Sequence, residues 1–277
     1  MNLPSTPNRA ASELRSGAEW KFSLLGGLAE PFARRIFTAA EFYEFVQRYR
    51  VGASVTTARS LSEMLVSSGA LRRVSSGIFL NRRSIPPTEI TEAASHIRNG
   101  AVISLHSVLG EVGFLNNPPS VVFAVLPTSA TKRPKLGEAR TSAGDIFRFH
   151  GLAERFFPQN DQERFKMLQP GRPCEMFRPE AALLHWLHLA NMQRSSLWRP
   201  PFDVDMSTLD LELLDRLAER WDLGGQLLQW RTQAEAVNFG EEPEARAPTT
   251  APTQEAHDAS AAARARLMAR RSSPSGS

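Results

Sequence analysis

Apolar positions along this chain recur at helical spacing, then at strand spacing, and the order of these runs predicts an α+β protein. Thr38-Ala39-Ala40-Glu41 is a capping-box pattern, in which the threonine hydroxyl accepts from the amide three residues on while the glutamate reaches back. Phe42, Phe45, Val46 and Tyr49 follow at i, i+3, i+4 and i+7, the stripe of a helix buried on one side. After a connection through Val51, Gly52 and Ala53, a second helix is expected from Thr56 or Thr57 to about Ser68, with Gly69 as a left-handed stop and Ala58, Leu61, Met64 and Leu65 inward. Residues 71–80 read as a strand, a Ser-Ser-Gly turn and a returning strand. Helix, short connection, helix and hairpin is the order of a winged helix-turn-helix.

From Pro86 the pattern becomes mixed α/β. Ile90, Ala93, Ala94 and Ile97 mark a helix, and Ala101-Val102-Ile103 a buried strand. Ser104 is expected to cap a helix carrying Leu105, Val108, Leu109 and Val112 before Gly113. Residues 121–126 form a strongly apolar strand, 127–144 a loop with Lys132, Arg133, Lys135 and Arg140, and 146–150 another strand. Pro179 suits the first turn of a helix through Leu183, Leu184 and Leu187. Two more helices are expected, one over 207–221 with Leu211, Leu214, Leu217 and Ala218 inward, the other over 223–236.

The ends read differently. Residues 1–19 lack periodicity and are expected to be a mobile arm, with Trp20, Phe22, Leu24, Leu25 and Leu28 beginning the ordered part and 29–35 extending a first helix. Beyond Gly240 the composition of Pro, Thr, Ala, Glu and Ser predicts a disordered tail, with a transient basic helix over 259–271. The expected organisation is therefore a mobile arm (1–19), a winged helix-turn-helix (20–84), a mixed α/β domain with a helical C-terminal part (85–238) and a disordered tail (239–277).

Charge changes this picture by giving the two halves different partners. From Arg34 to Arg83 there are nine arginines against three glutamates, a net +6, whereas from Arg140 to Asn238 twelve basic residues face fourteen acidic ones. A basic N-terminal part ahead of a near-neutral body points to a polyanion as its partner. No run of apolar residues reaches the length of a membrane span, and no secretory leader is visible, so the expected location is cytoplasmic with no membrane partner. Cys174 is the single cysteine and reads as a packing residue.

Catalytic constellations are not evident. There is no glycine-rich phosphate loop and no His-Glu-x-x-His motif, so no cofactor, metal or catalytic residue is expected. His185 and His188 share a helix face but lack a third ligand nearby in sequence, Asp203 and Asp205 read as helix caps, and Ser104 with His106 lacks nucleophile-elbow glycines. The second helix offers more. With Ala58, Leu61 and Leu65 inward, Thr56, Arg59, Ser60, Glu63 and Ser67 face outward. Arg59 is a candidate for bidentate contact with guanine, and Thr56, Thr57 and Ser60 for phosphate or base edges. Arg72, Arg73, Arg82 and Arg83 bracket the hairpin as candidate phosphate contacts, with Ser75 and Ser76 small enough for close approach. An ordinary solvated face, with Arg59 and Glu63 as an i, i+4 pair, is the plainer alternative. The basic loop 132–140 is a second candidate contact.

The segments also resemble a known family, the AbiEi-type antitoxins of type IV toxin–antitoxin systems. The match starts at the Leu61 to Leu65 helix and runs through Gly69-Ala70-Leu71-Arg72-Arg73-Val74-Ser75-Ser76-Gly77-Ile78-Phe79. It continues through Ile103-Ser104-Leu105-His106-Ser107-Val108-Leu109, Gly113-Phe114, the 121–126 strand, Phe147-Arg148-Phe149-His150 and Pro179-Glu180-Ala181-Ala182-Leu183-Leu184, where Ala181 stands in place of the family's usual lysine. The resemblance implies a non-enzymatic transcriptional regulator. Its winged helix would bind inverted repeats in its own promoter, and its C-terminal domain would counter a nucleotidyltransferase-like toxin without a stable complex. Three alternatives stand beside it: a nucleic-acid-processing enzyme targeted by the winged helix, with Asp145, Glu154, Glu175 and Glu180 converging; a winged helix that binds only protein; and a winged-helix transcription factor unrelated to toxin–antitoxin systems.

Overall fold

The first helix, α1 (Arg9–Leu28), starts well before the expected ordered region, so the arm expected over 1–19 is helical from Arg9 onward. It stops at Leu28, and residues 29–35 are turns and bends instead of a helical extension. The computed structural model describes residues 9–117, 120–129, 135–193, 195 and 197–238, with side chains from 19 to 237. The tail expected to be disordered lies outside the described residues.

A three-residue strand, β1 (Ile36–Thr38), leads directly into α2 (Ala39–Tyr49). Thr38 ends one and caps the other. Its hydroxyl accepts from the Glu41 amide, and Glu41 accepts from the Thr38 amide at 2.8 Å. Next come α3 (Val55–Ser67), β2 (Leu71–Ser75) and β3 (Ile78–Asn81), with Gly69 left-handed at φ 76° after the helix, as its position predicts. The sheet is antiparallel in the order β1-β3-β2.

Strand period explains how this sheet serves two cores. Phe37, Leu71 and Phe79 point to one face and pack with Leu24, Leu28, Phe42, Phe45, Val46, Ala58, Leu61 and Leu65. Ile36, Val74 and Leu80 point to the other face and join the larger core of the later elements. The two element sets thus share a sheet. Arg35 reinforces the join, donating to Glu92 through Nε at 2.7 Å and to the Pro86 and Pro87 carbonyls at 2.7 and 2.9 Å.

The second sheet is mixed, in the order β4-β5-β7-β6: β4 (Val102–Ile103), β5 (Val121–Pro127), β6 (Lys135–Arg140) and β7 (Ile146–Leu152). β5 and β7 run parallel, while the outer pairs are antiparallel. The loop expected over 127–144 therefore contains a strand. Glu138 in β6 collects Arg140 at 2.9 Å and Arg148 at 3.1 Å, which offsets the weak apolar content of that edge.

The helices around this sheet are α4 (Ala94–Ile97), α5 (His106–Glu111), α6 (Asp161–Met167), α7 (Pro179–Asn191), α8 (Leu211–Arg220) and α9 (Gly224–Asn238). Pro179 occupies the first turn of α7 as expected, and α7 is buried almost all round, as its apolar sequence demands. The helix expected over 207–221 is shorter. A 3-10 turn precedes Asp210, which caps α8 by accepting from the Leu213 amide at 3.0 Å, and Leu211 stays exposed. The chain is thus mixed α+β with two sheets, and among the described residues no helix is long and apolar enough to cross a membrane.

Candidate nucleic-acid interface

The turn between α2 and α3 is held by one side chain that the sequence pattern did not single out. Gln47 donates to the Ala53 carbonyl at 2.6 Å and accepts from the Gly52 amide at 3.0 Å, and Gly52 supplies the left-handed backbone, φ 76°, that the tight connection needs. Ser54 then caps α3, accepting from the Thr57 amide at 3.1 Å, with its hydroxyl 3.0 Å from that of Thr57. The helix therefore starts one residue earlier than expected, and the Thr57 hydroxyl is engaged in the cap.

Rotation of α3 places Ala58, Leu61, Ser62 and Leu65 inward. Ser62 takes the inward position assigned to Met64, and it does so without an unpaired hydroxyl because Oγ donates to the Arg59 carbonyl at 2.8 Å. Met64 is exposed instead. Thr56, Arg59, Ser60, Glu63 and Ser67 form the exposed row, as expected from the sequence. The Arg59 side chain makes no hydrogen bond or ion pair among the described residues, so the i, i+4 pair with Glu63 that the plainer alternative offered does not form.

Glu63 pairs with Arg73 of β2 instead. The Arg73 guanidinium also lies over the Phe79 ring, 5.5 Å from its centroid. Between α3, the N-terminus of α2 and the turn of the hairpin lies a cavity of about 380 Å³, floored by Phe42, Ala58 and Phe79 and rimmed by Arg59, Glu63, Arg73 and Ser76. Gly77, at φ 72°, lets the turn approach Ala39.

Arg72 does not join this surface. It is next to Arg73 in a strand, so its side chain points to the opposite face, where it pairs with Asp145. Asp145 also accepts from the Thr141 hydroxyl at 2.8 Å. Arg82 and Arg83 are exposed, but they follow β3 at the end of the hairpin away from its turn, where the Arg82 amide bonds the Ala70 carbonyl. The structure brings Arg59, Arg73 and Ser76 to one cavity, leaves Thr56 and Ser60 exposed on α3 and Ser75 half-buried at the turn's edge, and places Arg72, Arg82 and Arg83 elsewhere. Of the basic loop, Lys132 and Arg133 lie outside the described residues, while Lys135 and Arg140 flank Glu138.

Four of the described histidines, His106, His150, His185 and His188, are occupied with packing. Ser104, expected as a helix cap, is fully buried and lies 3.0 Å from His185 Nδ1. His185 is stacked on Trp221 and meets Phe177 edge-on, and burial pushes its pKa down to about 3. Its neighbour His188 is half-buried against Phe156. His106 and His150 are held neutral by burial to about 4. Burial likewise pushes the Cys174 thiol up to about 11, so it is no thiolate nucleophile at neutral pH. Asp205 accepts from the Ser207 amide at 2.9 Å, the capping role expected of it.

The carboxylates that an enzyme reading would bring together have separate partners. Asp145 pairs with Arg72, Glu175 pairs with Arg164, Glu180 is buried and accepts from the Asp210 amide at 2.8 Å, and Glu154 is exposed. Among the described residues, no three histidine, cysteine or acidic side chains gather in an arrangement fit to hold a metal.

No protein-family profile matches the chain, and no curated protein matches it. Among solved structures it is similar to the RV2827C protein from Mycobacterium tuberculosis, with a TM-score of 0.45 and 15% identity, over 82% of this chain and 83% of that one.

Proposed function

We propose that the α1 to β3 segment is a winged helix-turn-helix that binds duplex DNA. In this reading α3 enters the major groove and the β2–β3 turn lies on the neighbouring backbone. The observation that carries the reading is the sheet order β1-β3-β2 with α2 and α3 packed on a single face. That packing leaves the row Thr56, Arg59, Ser60 and Glu63 in solvent, with Arg59 and Glu63 beside the turn. Arg59 is the specificity contact, and a bidentate bond to guanine contributes about 1–3 kcal/mol of discrimination. Thr56, Ser60, Ser76 and Arg73 position the protein on phosphate.

The sequence resemblance extends this to a transcriptional autorepressor and antitoxin, a non-catalytic protein that opposes a nucleotidyltransferase-like toxin. Support for that part comes from the order of the motifs in 103–184. Two experiments test the two parts separately. A gel-shift titration of the DNA upstream of the gene should give a salt-sensitive complex, and unrelated DNA should bind orders of magnitude more weakly. Co-expression with an adjacent nucleotidyltransferase-like reading frame should relieve its growth inhibition; persistence of inhibition would remove the antitoxin role while leaving DNA binding intact.

A further inference from the structure

The cavity between α3 and the hairpin has a composition that a polyanion's backbone does not require. Its floor is aromatic and aliphatic, with Phe42, Ala58 and Phe79 all buried, while its rim holds two guanidinium groups, Arg59 and Arg73, against one carboxylate, Glu63. A volume of about 380 Å³ falls in the range of small-molecule sites, which are mostly apolar with a few placed polar groups.

Arg73 indicates which polar group such a molecule would carry. Glu63 accepts from Nη2 of Arg73 but not from Nε, and the Nε–H is buried with no acceptor among the described residues. An arginine offers its Nε–H and one Nη–H side by side as a fork matched to a carboxylate. A buried donor without an acceptor is costly, so a group that satisfies both N–H bonds gains over the present single contact.

We propose that this cavity binds a small monocarboxylate with an apolar body. Its carboxylate replaces Glu63 on Nη2 of Arg73 and takes the Nε–H as well once the departure of Glu63 opens it, and its body lies on Phe42, Ala58 and Phe79. Arg59 adds a second positive charge at the rim. Such a ligand occupies the surface that meets DNA under the proposed function, so it antagonises DNA binding; this consequence rests on that reading, whereas the site itself does not.

The test titrates the full chain, without DNA, with 3-phenylpropionate, hexanoate and the neutral 3-phenylpropionamide, followed by ligand-observed NMR. For ligands of about ten non-hydrogen atoms, saturable binding of at least one acid is expected with a Kd on the order of a few millimolar or tighter. The amide should bind at least tenfold more weakly. Glu63→Gln should tighten the acid severalfold by removing the competing carboxylate, and Arg73→Gln should abolish binding. Absence of saturable binding of both acids to wild type and to Glu63→Gln, or equal binding of acid and amide, would overturn the site. So would an acid Kd unchanged in Arg73→Gln. In a second arm, a saturating acid should weaken the DNA complex relative to equal acetate. DNA affinity unmoved by the saturating acid would overturn the antagonism alone. A protein that binds the acid but never binds DNA would retain the site and lose the proposed function.

Discussion

Glu63 on the exposed row of α3 forms an ion pair with Arg73 on β2, bridging the helix and the hairpin across the groove between them. If that groove meets DNA, the bridge holds one phosphate-binding arginine in check and places a negative charge at the interface. Glu63→Gln should therefore raise affinity for duplex DNA severalfold at about 50 mM salt and steepen the salt dependence by about one charge. Fluorescence anisotropy at a series of salt concentrations measures both, and a loss of affinity in this variant would assign Glu63 to base recognition.

Arg72 gives the opposite expectation. Its partner Asp145 lies at the β6–β7 turn, on the face of the sheet away from α3, and both side chains are partly buried. Arg72→Ala should leave DNA affinity within about twofold at moderate salt and lower stability by about 1 kcal/mol or less, the range for partly exposed pairs. A large drop in DNA affinity would mean that Arg72 leaves Asp145 to reach the phosphate backbone.

These two arginines also mark the limit of what the sequence makes legible. Local signals read through: the capping box at Thr38, the stop at Gly69, the hairpin turn near Ser76 and the proline start of α7 are each defined within a few residues. Elements that exist through distant partners do not. β1 has three residues, too few for a period, and forms because β3 accepts it. β6 reads as a basic loop because its pairing with β7 and the charges around Glu138 supply what apolar alternation would. Charge counting places Arg72 and Arg73 together, whereas strand alternation sends them to opposite faces. The Ser104–His185 contact joins residues 81 apart and has no local signature.

Three buried histidines make the fold sensitive to acid. His106 and His150 are held at about 4 and His185 at about 3, chiefly by burial, against an ordinary value near 6.5. Between these values the unfolded chain binds more protons than the folded one, so stability is complete above about pH 6.5 and falls as pH drops, by up to about 1.4 kcal/mol per pH unit for each ring. Urea unfolding should show at least about 2 kcal/mol less stability at pH 5 than at pH 7. A flat profile over that window would place these rings in contact with solvent.

The junction at Thr38 bears on stability alone. Its hydroxyl and Glu41 cap α2, and the side chain lies outside the α3 row. Thr38→Ala should lower the free energy of unfolding by about 1 kcal/mol with an unchanged denaturant slope. DNA affinity should not change. A variant as stable as wild type would show that the cap contributes nothing beyond solvent.

The measurement closest to the centre of this account is the affinity of wild type and Arg59→Ala for the DNA upstream of the gene, followed by anisotropy from about 50 to 200 mM salt. Wild type should bind with a steep salt dependence, and Arg59→Ala should bind about 5- to 150-fold more weakly, with the discrimination between upstream and unrelated DNA reduced in step. Equal affinities of the two proteins for both DNAs across that range would contradict the assignment of α3 as the DNA-reading helix.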